Sequence, residues 1–264
     1  MNKYKWTPLA IALAMSASLS HATSNPSGDV DIDNDGLIEI ATLQELDLIR
    51  YDSAGTSLNG DSSGCPATGC NGYELVNDLD FDTNGNGVAD SGDLFWNGAQ
   101  GWEPISLLIN AEFNGNGHTL SNLNINRVGE NIGLFSVVDN SIITSINFDN
   151  VSINALNDGF VEGVGTLVGY LTNSSVYDTT AHSVNVVYEN RVDRTGLLIG
   201  QIYGNSAGII ELQGIETSGS ILPEGLQWGN EMGGVVGYAR AQSANGIVLQ
   251  NISSVSEVRG VVVN

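Results

Sequence analysis

In residues 105–264, apolar and polar residues alternate in short runs separated by Gly, Asn and Ser. Leu123 and Ile125 alternate with polar neighbours, and so do Ile146 and Phe148 within SIITSINFDNVSI. A period of two is typical of strands that bury one face, and no long stretch here has helical spacing. The pattern therefore predicts an all-β region.

The same region repeats itself. Its copies read NIGLFSVV, GVGTLVGYL, RTGLLIGQI and EMGGVVGYA, and their anchoring glycines are Gly133, Gly165, Gly196 and Gly233, separated by 32, 31 and 37 residues. Strand repeats of this length are typical of a solenoid, in which each turn buries its apolar face against the next. A β-propeller repeats at about 40 residues, but four incomplete copies would not close a ring. We therefore predict a right-handed parallel β-helix over residues 105–264.

Residues 23–104 have a different amino-acid composition, which is rich in Asp, Asn and Gly. In TLQELDLIRY, Thr42 is followed three residues later by Glu45, which is a capping box, and apolar residues recur on one face. These signals predict a short strand, Leu37 to Ile40, that leads into one short α-helix. We interpret this region as an Asp/Gly-rich capping segment of the β-helix.

Three of the four repeats share the spacing Gly-x-x-x-Gly, namely Gly165/Gly169, Gly196/Gly200 and Gly233/Gly237. They resemble the GLUG motif of large bacterial secreted and surface proteins, some with IgA-peptidase or adhesin modules. The segments DNDGLIEI, LDLIRYD, GCNGYELVNDLDFD, GWEPI and FNGNGHTLSNL resemble the module that accompanies such repeats. The resemblance implies a parallel β-helix in a secreted or cell-surface context, and implies no characterised activity. Such proteins are usually longer, so truncation at the C-terminus is one interpretation.

The first residues, MNKYKWTPLAIALAMSASLSHA, have the organisation of a secretory signal peptide. Lys3 and Lys5 precede an apolar run, and SHA supplies a small-x-small cleavage pattern. The run from Trp6 to Leu19 is shorter than the roughly 20 apolar residues of a transmembrane helix. We predict a signal peptide at residues 1–22 and export to the periplasm, cell surface or medium, with no membrane span after its removal.

Removal of that peptide leaves six arginines, no lysine and 30 acidic residues, hence a net charge of −24. Binding to nucleic acid depends on Lys and Arg that neutralise phosphates, so this charge argues against a nucleic-acid partner. It favours divalent cations instead. Half of the acidic residues, 15, lie between Thr23 and Asp93.

The segment DTNGNGVADSGD has the spacing of a calcium-binding loop, with Gly87 at its sharp turn. Its predicted Ca2+ ligands are Asp82, Asn84, Asn86, the Val88 carbonyl, Asp90 and Asp93. Aspartate replaces the usual glutamate at the last position, so we expect an affinity of about 0.1 to 1 mM, as in extracellular modules. The alternative is an Asn/Gly turn that is merely acidic.

A second acidic stretch reads DVDIDNDGLIEI, and its predicted Ca2+ ligands are Asp31, Asp33, Asp35 and the Leu37 carbonyl. The twelfth loop position falls on Thr42, which the capping box already uses. A closing carboxylate would therefore come from Glu39, Asp29, Asp78 or Asp80, or the site is partial.

Cys65 and Cys70, in CPATGC, are the two cysteines of the chain. In an exported protein such a pair favours a disulfide, which stabilises a loop this short by about 2 kcal/mol. The alternative, a reactive thiol, lacks neighbours that would lower a thiol pKa.

Catalysis is the main functional alternative, because β-helices often act on polysaccharides. A calcium-dependent lyase needs a base such as Lys or Arg, and because no lysine remains after residue 22, that base would have to be arginine. A glycosidase would need two carboxylates to lie close together, and the candidates are Asp139, Asp149, Asp158, Asp178 and Asp193. After residue 22 the only histidines are His118 and His182, and neither lies beside a G-x-S-x-G. Stacking on sugars would use Trp96, Trp102 and Trp228.

We therefore interpret the chain as an exported, calcium-stabilised β-helix that serves as a surface, adhesion or matrix-interaction module without catalysis. Its expected partners are an extracellular glycan or protein surface, or another copy joined end to end. The alternative function is a polysaccharide lyase, a glycoside hydrolase, or an accessory domain of a larger secreted enzyme.

Overall fold

The strands of this protein coil around one apolar core. Strands make up 55% of the structure and form a parallel β-solenoid of about six turns, which confirms the predicted parallel β-helix. The computed structural model describes residues 28–156, 161–188, 192–204, 209–223, 229–242 and 246–259. The predicted signal peptide, residues 1–22, lies outside the described residues.

The N-terminal segment contributes three short strands and one α-helix. Its elements are β1 (Ile38–Ile40), α1 (Leu43–Leu48), a 3-10 helix (Ile49–Tyr51), β2 (Gly72–Leu75), β3 (Leu79–Asp80) and a second 3-10 helix (Asn97–Ala99). Both capping interactions form, with the return bond one residue earlier than in a standard capping box: Thr42 Oγ1 accepts the Glu45 amide, and Glu45 Oε2 accepts the Ala41 amide at 2.9 Å. The predicted strand and helix therefore both form, the strand one residue later than expected.

Eighteen further strands follow in the described part of the chain. They are β4 (Ile105–Ile109), β5 (Glu112–Asn114), β6 (Thr119–Ser121), β7 (Asn124–Val128), β8 (Asn131–Ile132), β9 (Phe135–Asp139), β10 (Ile142–Thr144), β11 (Asn147–Leu156), β12 (Val161–Val164), β13 (Val168–Thr172), β14 (Ser175–Tyr177), β15 (Thr180–Tyr188), β16 (Val192–Gly196), β17 (Ile199–Gly204), β18 (Ile210–Pro223), β19 (Gly229–Gly233), β20 (Val236–Ala241) and β21 (Ile247–Val258).

These strands form three sheets, and every pairing between them is parallel. One sheet runs β1-β2-β5-β10-β14-β18-β15-β11-β6-β3, with β7 and β21 attached. The second contains β8, β12, β16 and β19, and the third contains β4, β9, β13, β17 and β20. Because β1 to β3 extend the first sheet, the N-terminal segment adds rungs to the solenoid.

The register places equivalent residues of successive turns directly above one another. Ile105, Phe135, Val168, Ile199 and Val236 occupy one such column, so a turn takes 30 to 37 residues. This agrees with the spacing of the glycine-anchored repeats. The inside of the first sheet is a column of fully buried apolar residues, Ile38, Tyr73, Phe113, Ile143, Val176 and Leu212. Burial of each such side chain stabilises the fold by about 1.5 to 3 kcal/mol.

Asparagines in the left-handed region occupy one corner of the coil. Asn110, Asn140 and Asn173 each follow a strand of the third sheet and have φ between 48° and 54°. Asparagine tolerates this conformation better than most residues. Asn140 Nδ2 also donates to Asn110 Oδ1 at 2.6 Å. The asparagines therefore turn the chain and link adjacent turns.

Apolar side chains on β21 are more exposed to solvent than their counterparts on the earlier strands of the first sheet. Leu249 continues the buried column above Leu212 but is 57% exposed. Ile247 and Ile252 on the same strand are only partly buried. End-to-end association through this edge stays a prediction.

The repeat glycines lie where the second and third sheets meet at a sharp corner. A Cβ added to Gly200 would lie 2.4 Å from the Val164 amide nitrogen and 2.6 Å from the Gly169 carbonyl oxygen. Both are backbone atoms of a neighbouring turn, so they cannot swing aside as a side chain would. The Gly-x-x-x-Gly spacing therefore reflects close backbone approach between turns.

We expect Gly200→Ala to lower the free energy of unfolding by about 1 to 3 kcal/mol or more, because the methyl group forces two turns apart. Gly129→Ala is the matched control, since its Cβ would meet only Ile132 Cγ1 at 3.7 Å. Urea denaturation of both variants checks the prediction. Equal stability of the two variants would contradict it.

Candidate metal centre

The DTNGNGVADSGD loop is closed by hydrogen bonds to its own backbone. The Asp82 carboxylate accepts the amides of Asn86 at 3.1 Å and Gly87 at 2.6 Å. At the other end, Asp93 Oδ2 accepts the Asp90 amide at 2.9 Å. These hydrogen bonds hold the backbone of the loop in a turn at each of its two ends.

The carboxylates of this loop are not gathered into a cage. The groups of three acidic or thiol ligands found within the described residues do not include Asp82, Asp90 or Asp93. Asn84 Nδ2 and Asn86 Nδ2 donate to Asp90 at 2.9 and 2.7 Å, so amide nitrogens face that carboxylate. Calcium binding here, with the Val88 carbonyl as a ligand, stays a prediction.

The other stretch, residues 31–37, forms a tight turn that we call the acidic turn. Gly36 (φ 97°) and Asn34 (φ 64°) adopt left-handed conformations and bend it. Asp33 Oδ1 accepts the Asp35 amide at 3.1 Å, and Asp35 Oδ1 accepts the Leu37 amide at 2.8 Å. Each carboxylate thus caps a backbone amide two residues later.

Asp31 is fully buried at the base of the acidic turn. Its Oδ2 atom accepts the Gly36 amide at 3.0 Å, whereas Oδ1 has no hydrogen-bond partner. Cys70 Sγ lies 3.4 Å from Oδ2. Because Cys70 is bonded to Cys65, its sulfur carries no hydrogen and cannot donate.

Two glutamates face the acidic turn from the first strands of the solenoid. Glu39 on β1 and Glu74 on β2 are register partners, and both are buried, with 9% and 6% exposure. The Ile32 amide donates to both Glu39 carboxylate oxygens at 2.7 and 2.9 Å. Asn116 Nδ2 donates to Glu74 Oε2 at 2.6 Å.

Five carboxylates thus form two groups that share one residue. Ligand oxygens of Asp31, Asp33 and Glu39 lie within 4.8 Å of one another, and so do those of Asp33, Asp35 and Glu74. We call these the inner and outer groups. The sequence included Glu39 among the closing ligands but missed Glu74, whose only local signal is an acid inside the apolar run GYELV.

Two of the other expected closing ligands, Asp78 and Asp80, have different roles. Asp78 Oδ1 lies 3.0 Å from His118 Nδ1, and Asp80 Oδ1 accepts Asn122 Nδ2 at 2.7 Å. Neither residue belongs to the inner or outer group.

The pKa values of both glutamates, Glu39 and Glu74, are raised in this arrangement. Burial raises the pKa of Glu39, and the nearby Asp31 charge raises it further, against the lowering effect of the Ile32 amide. Burial also raises the pKa of Glu74, and the charges of Asp35 and Asp33 add to the increase. Like charges on adjacent strands repel, so a bound proton or cation is favoured.

The cysteine loop holds the acidic turn in place. Cys65 and Cys70 form the predicted disulfide. Ser63 O accepts the Asp31 amide at 3.2 Å, and Gly36 O accepts the Asn71 amide at 3.0 Å. The residues that flank the disulfide loop therefore contact both ends of the acidic turn.

Of the aromatic residues proposed as sugar platforms, the structure describes Trp96 and Trp102. Trp102 is fully buried, packs edge-on against Phe81 and Phe95, and donates its indole N–H to Leu134 O at 3.2 Å. Trp102 is therefore part of the core and cannot stack on a sugar. Trp96 is half-buried, and Trp228 lies outside the described residues.

The acids considered for glycosidase chemistry are spread over different faces. Asp139 lies in the third sheet, Asp149 in the first and Asp193 in the second, so these three do not converge. Asp178 lies in a turn before β15, and Asp158 falls outside the described residues.

One row of polar residues crosses three adjacent strands of the first sheet. Asp149 on β11 is the register partner of His182 on β15, and His182 Nδ1 lies 3.2 Å from Ser218 Oγ on β18. Asp149 is exposed and the other two side chains are half-buried. The row has the residue types of a hydrolytic triad, although His182 faces the serine through Nδ1 and not through the usual Nε2.

Fold and site together define a parallel β-solenoid whose first turn carries a cluster of five carboxylates, three of them buried. No family model matches the chain. The chain is similar to Halomucin from Haloquadratum walsbyi, at 37% identity over 113 residues, which cover 40% of this chain and 1% of Halomucin. It thus spans only a small part of that protein. The GLUG resemblance stays a prediction.

Among solved structures, the chain is similar to a Bacteroides ovatus protein named as a candidate immunoglobulin A1 protease. The TM-score is 0.32 and the identity 13%, over 86% of this chain and 79% of that chain. Within the described residues, no helix has the length and apolar character to cross a membrane.

We expect replacement of both Cys65 and Cys70 by Ser to lower the free energy of unfolding by about 2 kcal/mol, because the unfolded chain gains the freedom of an open loop. Urea denaturation with and without reductant measures the loss. The free energy of unfolding of the variant should be the same with and without reductant. That of the native protein should fall by about the same 2 kcal/mol when reductant is added. A native protein with the same urea midpoint under both conditions would contradict the prediction.

Proposed function

We propose that this chain is an exported, calcium-stabilised β-solenoid that acts as a cell-surface, adhesion or matrix-interaction module without catalysis. The observation that carries the proposal is the group of five carboxylates at the first turn. In the described parts of the chain, Arg50, His118, Arg194 and Arg259 pair with other acids. A divalent cation is the counter-charge that an oxygen-only environment favours.

Several features support the extracellular setting. A disulfide persists in oxidising compartments, and the solenoid offers long polar faces to a partner. Halomucin is by its name a mucin, which is in keeping with a surface context for a similar segment. The predicted signal peptide and the excess of acidic residues point the same way.

We expect about 5 mM calcium to raise the melting temperature of the mature protein by about 2 to 9 °C relative to EDTA. This range follows from an affinity of about 0.1 to 1 mM and from binding to the folded state alone. Differential scanning calorimetry checks it, with magnesium at the same ionic strength as the control. Identical melting temperatures in calcium and EDTA would reject the stabilising role.

A carbohydrate-active enzyme is the second candidate, and the row of Asp149, His182 and Ser218 is the observation that favours hydrolysis. On a polysaccharide, such a row would suit removal of an ester substituent, with His182 taking the Ser218 proton.

An assay on purified mature protein separates the two candidates. We expect calcium-dependent retention on beads that carry acidic or neutral polysaccharides, with no new reducing ends, unsaturated products or released acetate. Turnover that Ser218→Ala or one acidic substitution abolishes would contradict the non-catalytic function. Ser220→Ala, on the same strand, is the matched control for Ser218→Ala.

A further inference from the structure

We infer that the acidic turn binds one calcium ion between Asp31, Asp33 and Glu39, and that this ion fastens the turn to the first strand of the solenoid. The inference rests on the proposed function, because an exported protein meets calcium at millimolar concentration. It deepens that function by naming the site and its structural role.

The spacing of the inner group suits calcium. Its ligand oxygens lie within 4.8 Å of one another. Two oxygens that bind the same calcium ion, each at about 2.3 to 2.6 Å, are at most about 5 Å apart. Magnesium needs distances of about 2.0 to 2.1 Å and near-octahedral geometry, whereas calcium accepts longer distances and irregular geometry, so calcium is the ion we propose.

Asp31 supplies an independent sign of a ligand. Its side chain is 0% exposed, and its Oδ1 atom has no hydrogen-bond partner. A buried carboxylate oxygen without a partner is costly, and proteins seldom retain one without a role. A cation held by the inner group would satisfy this oxygen. The disulfide sulfur beside Oδ2 cannot do so, because it carries no hydrogen.

The donor set selects the class of ion. All three inner ligands are carboxylates, and the outer group adds Asp35 and Glu74 next to Asp33. Zinc and copper favour nitrogen or thiolate ligands, and the nearby cysteines are held in the disulfide. A hard, oxygen-binding dication therefore fits, and its charge also offsets the repulsion between Glu39 and Glu74 on adjacent strands.

The position of the site suggests what the ion does. β1 is an edge strand of the first sheet, and the Glu39 amide donates to Val30 O at 3.0 Å, just before the acidic turn. The turn thus covers the outer side of β1, where an open edge would invite pairing with another chain. An ion shared by Asp31, Asp33 and Glu39 fastens this cover to the strand beneath it.

The test compares Asp31→Asn and Glu39→Gln with Glu112→Gln, which removes one negative charge from the same sheet outside both groups. We expect calcium to raise the melting temperature of the native protein and of Glu112→Gln, and to have no such effect on the first two variants. Calorimetric calcium affinity at this site should fall about tenfold or more in both. In EDTA the two variants should melt at or above the native temperature, because a buried charge has been removed.

Asp90→Asn reports separately on the DTNGNGVADSGD loop. If Asp31→Asn and Glu39→Gln keep the calcium response while Asp90→Asn loses it, the inference is overturned and calcium stabilisation stands. If the native protein does not respond to calcium, both fail. The calcium response of each variant is measured against its own melting temperature in EDTA, because Asp31 and Glu39 also accept the Gly36 and Ile32 amides.

Discussion

In-register stacking of parallel strands is the constraint on which the rest of this structure depends. Backbone hydrogen bonds join the same position of successive turns, so each side chain lies about 4.8 Å from its counterpart. Where the counterparts are apolar, as from Ile38 to Leu212, the result is a continuous buried column. Where they are charged, as at Glu39 and Glu74, the same geometry brings like charges together. The core and the candidate metal centre therefore have a common origin.

Stacking also explains the residues at the corners. At the corners of the coil, backbones of neighbouring turns come close together, which requires residues with small side chains. The chain also changes direction there, which requires residues that tolerate positive φ. Gly200 serves the first need, because backbone from the adjacent turn occupies the space of its Cβ. Asn110 and Asn140 serve the second, and their side chains bond to each other between turns.

The N-terminal segment is part of the solenoid in structural terms. β1 and β2 continue the first sheet, Val30 bonds to β1 just before the acidic turn, and the residues that flank the disulfide loop bond to that turn. A cation at this place would act on the stability of the whole coil, because each turn is held chiefly by the next.

The sequence by itself determined the strand period, the repeat length, the helix cap at Thr42 and the cysteine pair. These depend on residues close together along the chain, or on a spacing that recurs. It also predicted Asp31, Asp33, Asp35 and the Leu37 carbonyl as calcium ligands and Glu39 as one of four candidates to close the site, and these stay predictions. Only the tertiary structure placed Glu74 beside Glu39, left Asp31 Oδ1 without a partner and buried Trp102 against Phe81. The physical reason is that these features depend on which strands, distant along the chain, pair with one another and on which residues then cover them. A local sequence pattern contains no information about the pairing or about the covering residues.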